Sequence, residues 1–478
     1  MMIAALMIYI AVVSYIGFLN RKSASGEDYF LASRTMPSWL LAITFIASWW
    51  GGGSAVDLAD QAYHEGLSTF WIYGVPVLLA TALMFILAPA VRRIGTLTQS
   101  ELFESRYDAR SAFMLTVFIL IFMTIGVSVQ VVVVARFFES FLGFSYEMGA
   151  ALGVSLVLFY SLFGGFRGVV LTDLFQFLFF LFSSVTLFIF SYQGAGGFEG
   201  LINHVESKGL VDYTNFFHNL DDNIAYVITF GMSWIVQANV WQRISAARNS
   251  GAARKMMGIS FFVFIPLYLM VTLTGMFALP MFESLPQGGI VPALMKQQAN
   301  PMVSGVIFVG LCSAIMSTMD SMFNTGAMTL TVDIYKRHIH PSASGKRMVM
   351  IGRLSTLLMA IVAFFVATNI RSVLTISWIS SDFITTGAFV PLIMGFLWRR
   401  GTHQAALCSM IFGLVFSSYN FAVSLSAPFP VAWEIASVEQ ALIGICSSTA
   451  IYVLVSLCTF QDKEQTAKTE AFIKKAKG

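Results

Sequence analysis

Charge is what this chain has least of. Of 478 residues, only 11% are Asp, Glu, Lys or Arg, against about 25% in soluble domains. That excludes a water-soluble globular fold for the bulk of the chain. The formal net charge of +3 is too small to point to a polyanionic partner. No zinc-ligand spacing and no basic helix outside the loops marks a nucleic-acid binder. Cysteine is scarce as well. Cys312, Cys408, Cys446 and Cys458 all fall inside apolar runs, and their spacing frames neither a disulfide set nor a metal site. They read as small buried hydrophobes. HExxH is absent, as is any nucleophile–base pair at helical spacing, so nothing supports an intramembrane enzyme. The first nineteen residues have no basic leader and no small-residue cleavage site, and they read as a retained span.

What the chain has is apolar length. It is 57% hydrophobic, with mean hydropathy +0.76. A bilayer core needs about 20 apolar residues per helix. Runs between charged or Gly/Pro punctuation predict thirteen spans: 2–20, 37–61, 68–91, 111–142, 146–164, 168–193, 222–242, 256–280, 301–333, 347–369, 371–398, 404–425 and 434–459. The expected architecture is therefore an all-α polytopic membrane protein, with one transmembrane domain over 1–460. A short polar tail, 461–478, is expected to be cytoplasmic and mobile. With the N-terminus outside, 24 of the 28 Lys and Arg fall on the inner side. Only Arg136, Lys208, Lys296 and Arg371 lie on or near the outer side, and this asymmetry favours that topology. The segment 96–110 mixes apolar and charged residues and reads as an interfacial helix.

The ninth span carries Ser317-Thr318-Met319-Asp320-Ser321. A carboxylate at the centre of a spanning helix costs roughly 2.5–3.5 kcal/mol on insertion scales, so it faces a path, a pocket or an ion. Ala314, Ser317, Thr318 and Ser321 follow i, i+3, i+4, i+7 and share one face. Asp320 lies about 60° from Ser317, on the side away from Thr318. Hydroxyls, a carboxylate and small residues in one turn suggest a hard-cation site. The alternative is that the hydroxyls bond their own helix and Asp320 caps a kink.

The second span reads Ala47-Ser48-Trp49-Trp50-Gly51-Gly52-Gly53-Ser54. Each glycine weakens a helix by about 1 kcal/mol relative to Ala. Unwound backbone at membrane depth is tolerated where it lines a cavity, and its freed carbonyls become ion ligands. The alternative is close packing on small residues. In the sixth span, Asp173 is placed either to pair with Arg167 or to face Asp320 and Ser321 across a helix interface. The seventh span ends with Trp234, Gln237, Asn239, Trp241 and Arg243, amides and indoles suited to a pocket wall. The eleventh carries Ser380-Ser381-Asp382.

Tyr160-Ser-Leu-Phe-Gly164-Gly165-Phe-Arg-Gly-Val-Val-Leu-Thr172-Asp173-Leu-Phe-Gln176 resembles the signature of the sodium:solute symporter family. So do Ala314–Ser321, Trp241-Gln242-Arg243 and Phe396-Leu-Trp398-Arg399-Arg400. The resemblance covers about residues 28–400. It implies a LeuT-type core of two inverted five-helix repeats over 37–398, an extra N-terminal helix at 2–20 and two C-terminal helices at 404–459. It implies a principal sodium site made by the carbonyls of Ala47, Trp50 and Ala314 with the hydroxyls of Ser317 and Thr318. It also implies a possible second sodium at Asp173, Asp320 and Ser321. Sodium is then the coupling ion, with no prosthetic cofactor, and the partners are sodium, a small solute and the lipid bilayer of a bacterial inner membrane. Substrate-site expectations are Trp49, Ser54, Gln130, Trp234 and Gln237.

Ser48–Gly53 with Tyr63, and Ser380–Asp382 with Pro391, resemble the choline-transporter-like branch. Trp49 fits one wall of a cation–π cage, but Val131–Val134 and Gln237 stand where further aromatics are needed. The expected function is sodium-coupled import of a small polar solute by alternating access, an amino acid or small carboxylate being favoured. A choline-like cation or a sugar is the rival cargo, and an ion channel is the rival class.

Overall fold

The computed structural model describes residues 2–20, 26–298, 300–424 and 437–478. Residue 425 and residues 434–436 of the expected spans lie outside these, as do Arg21 and Lys22 of the first inner loop. The described residues hold helices and no strand, as backbone in a bilayer core requires. The helices used below are α1 Met2–Leu19, α2 Ser38–Trp49, α3 Leu58–Glu65, α4 Phe70–Ile94, α5 Ala109–Leu142 and α6 Tyr146–Gly194. They continue with α7 Leu220–Val236, α8 Ala238–Ala246, α9 Ser250–Ala278, α10 Pro301–Thr329, α11 Gly345–Asn369 and α12 Val373–Ile384. The last are α13 His403–Ser424, α14 Val438–Cys458 and α15 Lys463–Lys477.

Among the described residues eleven helices are long and apolar enough to cross a membrane, where thirteen spans were expected. Two of the expected spans appear as shorter apolar helices, Ser38–Trp49 and Tyr146–Leu162. The first is cut short because the second expected span breaks at Trp50. The other runs into its neighbour through Gly165, whose φ of 54° kinks α6; only glycine takes that conformation cheaply.

Burial sorts the spans into centre and rim. The span containing α10 is 83% buried, that containing α12 78%, and those of α5 and of α7 with α8 72% each. The spans of α1, α11 and α14 are only 28–33% buried. Their exposed apolar side chains, such as Ile8, Phe365 and Leu454, belong to a lipid-facing surface. Water would not tolerate so continuous an apolar patch.

The tail differs from the expectation. Residues 463–477 form α15, capped by Asp462, whose side chain accepts from Gln465 N. Gln465, Thr469, Phe472 and Ile473 are buried, an i, i+4, i+7, i+8 stripe that seats the helix on the bundle. Arg106, buried in the short helix Gln99–Arg106, donates to Thr469 Oγ1 at 2.8 Å. It also donates to the carbonyls of Gly395, Trp398 and Gly401 at 3.0, 2.9 and 3.3 Å. These lie at and just past a helix C-terminus, where carbonyls lack intrahelical partners and favour a cation.

Candidate functional site

Two spans are broken side by side. α2 ends at Trp50, with φ −85° and ψ 65°, and helix resumes at Gly53. α7 ends at Gln237, with φ −60° and ψ 117°, and α8 begins at Ala238. They open the two sets of five spans expected from the resemblance, the positions where broken helices flag a binding site. The second break was not expected, since no glycine or proline stands there.

The freed backbone groups find distant partners. Gly52 N donates to Gln130 Oε1 at 2.8 Å. Trp241 Nε1 donates to the Ile235 carbonyl at 2.7 Å and Gln99 Nε2 to the Val236 carbonyl at 2.9 Å. The glycines are required by close approach. A Cβ on Gly51 would sit 2.7 Å from Gln130 Oε1 and 2.9 Å from Thr318 Oγ1, and one on Gly52 2.4 Å from Val133.

α10 crosses α2 just before the break. Ser317 Oγ donates to Ala47 O at 2.9 Å and lies 3.0 Å from Ala314 O. Thr318 Oγ1 lies 3.4 Å from Ala47 O and 3.2 Å from Ala314 O. Two carbonyls and two hydroxyls thus converge with oxygen–oxygen spacings of about 3 Å. Hard cations bind oxygens at roughly 2.3–2.6 Å in the calcium case, so these spacings suit the edges of one coordination shell. The set fits sodium without a large rearrangement. Trp50 is fully buried beside it, and its ring packs on Phe180 and Tyr268.

Above this cluster lies a cavity of about 80 Å³ lined by Ser48, Trp49, Ser54, Gln130, Gln237 and Thr318, among others. Trp234 lines it too, so all five expected substrate residues border it. Two are partly committed elsewhere: Gln130 Oε1 holds the break, and Ser54 Oγ is paired with Tyr268 Oη at 2.7 Å. Gln237 Oε1 and Trp49 Nε1 are buried without a partner among the described residues, an arrangement that costs about 1–3 kcal/mol per group unless a bound molecule answers it.

The expectation of a single aromatic wall is corrected. Tyr73 and Phe230 also line the cavity. Trp49 lies 5.6 Å from Trp234, which stacks on Phe230 at 5.5 Å. These rings come from α4 and α7, not from the fourth-span valines. No Lys, Arg, Asp or Glu lines the cavity.

Asp173 does not pair with Arg167. Its Oδ2 accepts from Thr44 and lies 3.4 Å from Arg243 Nη2, both ends fully buried. Arg167 is exposed. Arg243 Nη2 also donates to Thr44 Oγ1 at 3.1 Å and Ser321 Oγ at 2.7 Å, so a guanidinium links Asp173 to Ser321. Asp320 turns to Ser161, which donates to it at 2.5 Å. Asp173 Oδ1 has no partner among the described residues. No cluster of three or more His, Cys, Asp or Glu suited to a transition metal occurs among the described residues.

Paired broken helices, a midplane oxygen cluster and a small cavity beside it define an ion-coupled secondary transporter. The profile of the sodium:solute symporter family matches residues 29–413, and the chain belongs to that family. It is similar to a sodium/proline symporter of Salmonella typhimurium, 26% identical and covering 87% of this chain and 86% of that protein. It is similar to a sodium/glucose cotransporter of Vibrio parahaemolyticus, 25% identical over 95% and 89%, and to the osmoregulated proline transporter OpuE of Bacillus subtilis, 26% identical over 86% and 87%. A Na+-coupled sialic acid symporter shares the fold, with TM-score 0.82, 17% identity and coverage of 96% and 98%. The fold is thus LeuT-type, and the relatives are transporters rather than enzymes.

Proposed function

We propose that the chain imports a small zwitterion, an amino acid such as proline, with sodium bound by Ala47, Ala314, Ser317 and Thr318. The convergence of those four oxygens at the α2 break carries this reading. Thr318 lines both the cluster and the cavity, so an ion there fixes the cavity wall. Sodium coordinates the lone pairs of the hydroxyl and carbonyl oxygens and holds α10 against α2; the solute then binds a completed pocket. Release on the other face follows rocking of one helix set against the other.

The cargo follows from the lining. Without a charged side chain, a net cation or dianion would be stripped of water and left unpaired. A zwitterion carries no net charge. Its ammonium suits the faces of Trp49, Trp234 and Phe230 and the free Gln237 carbonyl oxygen, and its carboxylate suits the start of the half-helix at Gly53. The aromatic walls keep a quaternary ammonium as the second reading. The Trp50 carbonyl completes the ion shell once the half-helices draw together.

Two buried carboxylates, Asp173 and Asp320, sit in the field of one guanidinium. A second sodium beside Asp173 Oδ1 and Ser321 would favour the ionised carboxylate there. The chain spans a bacterial inner membrane as one domain, N-terminus outside and C-terminus cytoplasmic, on the distribution of Lys and Arg. Uptake into proteoliposomes of a panel of amino acids, carboxylates, choline and sugars, with and without a sodium gradient, tests the reading. Sodium-dependent uptake of an amino acid supports it, and sodium-dependent uptake of choline alone refutes the cargo.

A further inference from the structure

The docked α15 leaves one edge unused by the packing. Its buried stripe faces the bundle, and Phe472 packs on Phe396 at 5.1 Å between ring centres. Beside that stripe opens a groove of about 290 Å³, lined by Arg399, Gln461, Thr466, Glu470, Lys474 and Lys477, with Thr469 and Ile473 at its base. Gln461 Nε2 donates to the Arg399 and Gly401 carbonyls, both at 2.8 Å, and so ties the two walls together. The lining brings three cations against one carboxylate, with an amide and a hydroxyl between them. None of the three cations is committed to a carboxylate in any ion pair described for this chain.

The groove's position indicates which anion it meets. Arg399 directly follows Leu397 and Trp398 at the end of a span, and Gln461 directly follows Phe460 after α14. Leu397 is 70% and Phe460 83% exposed, large apolar side chains that belong in lipid. The groove therefore opens where hydrocarbon gives way to headgroups. A second basic side chain there, Arg400, is held by the Leu457 carbonyl at the end of α14.

We propose that this groove binds a phosphate-bearing anion, with Arg399, Lys474 and Lys477 on the phosphate oxygens. Arg provides a bidentate fork and Lys point charges, the usual pairing for phosphate. The headgroup of an anionic phospholipid is the source at hand, and free phosphate offers the same chemistry. Basic residues at a membrane surface each strengthen anionic-lipid binding roughly fivefold.

The full chain in detergent, titrated with phosphatidylglycerol, phosphatidylcholine or inorganic phosphate while thermal unfolding is followed, tests this. Phosphatidylglycerol should raise the midpoint, and phosphatidylcholine should not. Lys474→Gln with Lys477→Gln should weaken the half-saturating concentration by roughly 25-fold. Lys463→Gln with Lys475→Gln removes the same charge from the same helix outside the groove and should shift it less than about twofold. Arg399→Gln alone should weaken it roughly fivefold. If inorganic phosphate reproduces the effect and only the groove variants lose it, the anion site stands and its ligand is soluble. Equal response to both lipids, or equal loss in the two double variants, overturns the proposal.

Discussion

Replacing Gly51 by alanine should separate sodium binding from folding. The added methyl would stand 2.7 Å from Gln130 Oε1, 2.9 Å from Gln130 Nε2 and 2.9 Å from Thr318 Oγ1. Both neighbours must move. Gln130 then releases the Gly52 N–H, a buried donor whose loss costs about 1–3 kcal/mol. Thr318 moves off the Ala47 carbonyl and opens the oxygen cluster. If that energy falls on the ion-bound state, sodium affinity drops roughly 5- to 150-fold. Gly52→Ala is the control. The three atoms nearest its methyl all belong to Val133, the first at 2.4 Å, an apolar overpacking of about 1–3 kcal/mol that lowers stability whether or not sodium is present. The assay is thermal unfolding across a sodium titration, since a ligand stabilises in proportion to the logarithm of its occupancy, with uptake measured in parallel. Gln130→Ala should be non-additive with Gly51→Ala, because both lose the same hydrogen bond. A Gly51→Ala protein that folds and half-saturates within twofold of wild type refutes the placement of sodium at this break.

Other outcomes follow from the same geometry. Ser317→Ala with Thr318→Ala removes two of the four converging oxygens and should raise the sodium needed for half-maximal uptake by at least tenfold, as read by isotope uptake. Asp173→Asn and Asp320→Asn should each change the charge moved per solute if a second cation sits there, measured by reversal potential in proteoliposomes; unchanged stoichiometry in both makes the acids structural. Gln237→Leu should weaken solute binding by about 1–3 kcal/mol and more than Trp49→Ala, in equilibrium binding with sodium held constant. Arg106→Gln strips the partner from carbonyls near a helix end and from Thr469. It should cost at least about 3 kcal/mol in thermal unfolding and leave α15 open to protease.

The break of α2 and the shared face of α10 were legible because their causes are local. Three consecutive glycines weaken a helix where they stand, and 100° per residue places Ala314, Ser317 and Thr318 together. The break at Gln237 was not legible. Its causes are Trp241 and Gln99, which cap the freed carbonyls, and Gln99 lies more than a hundred residues away. The only local hint was two amides, Gln237 and Asn239, in an apolar span. Asp173 was read as pairing with its sequence neighbour Arg167 or facing Asp320 and Ser321, and it lies against Arg243, seventy residues on, which also holds Ser321. The aromatic walls at Tyr73 and Phe230 were hidden among many aromatics in a chain where lipid-facing and pocket-facing rings look alike. The tail misled through composition. Its lysines suggested solvent, yet Gln465, Thr469, Phe472 and Ile473 repeat at helical spacing and seat it.

Sodium coupling through the α2–α10 cluster is most directly tested by solute uptake into proteoliposomes loaded without sodium and diluted into sodium or potassium buffer, for wild type and Ser317→Ala/Thr318→Ala. An inward sodium gradient should drive accumulation above the outside concentration in wild type, potassium should not, and the double variant should need at least tenfold more sodium. Equal accumulation in potassium, or an unchanged sodium requirement in the correctly inserted variant, would contradict it.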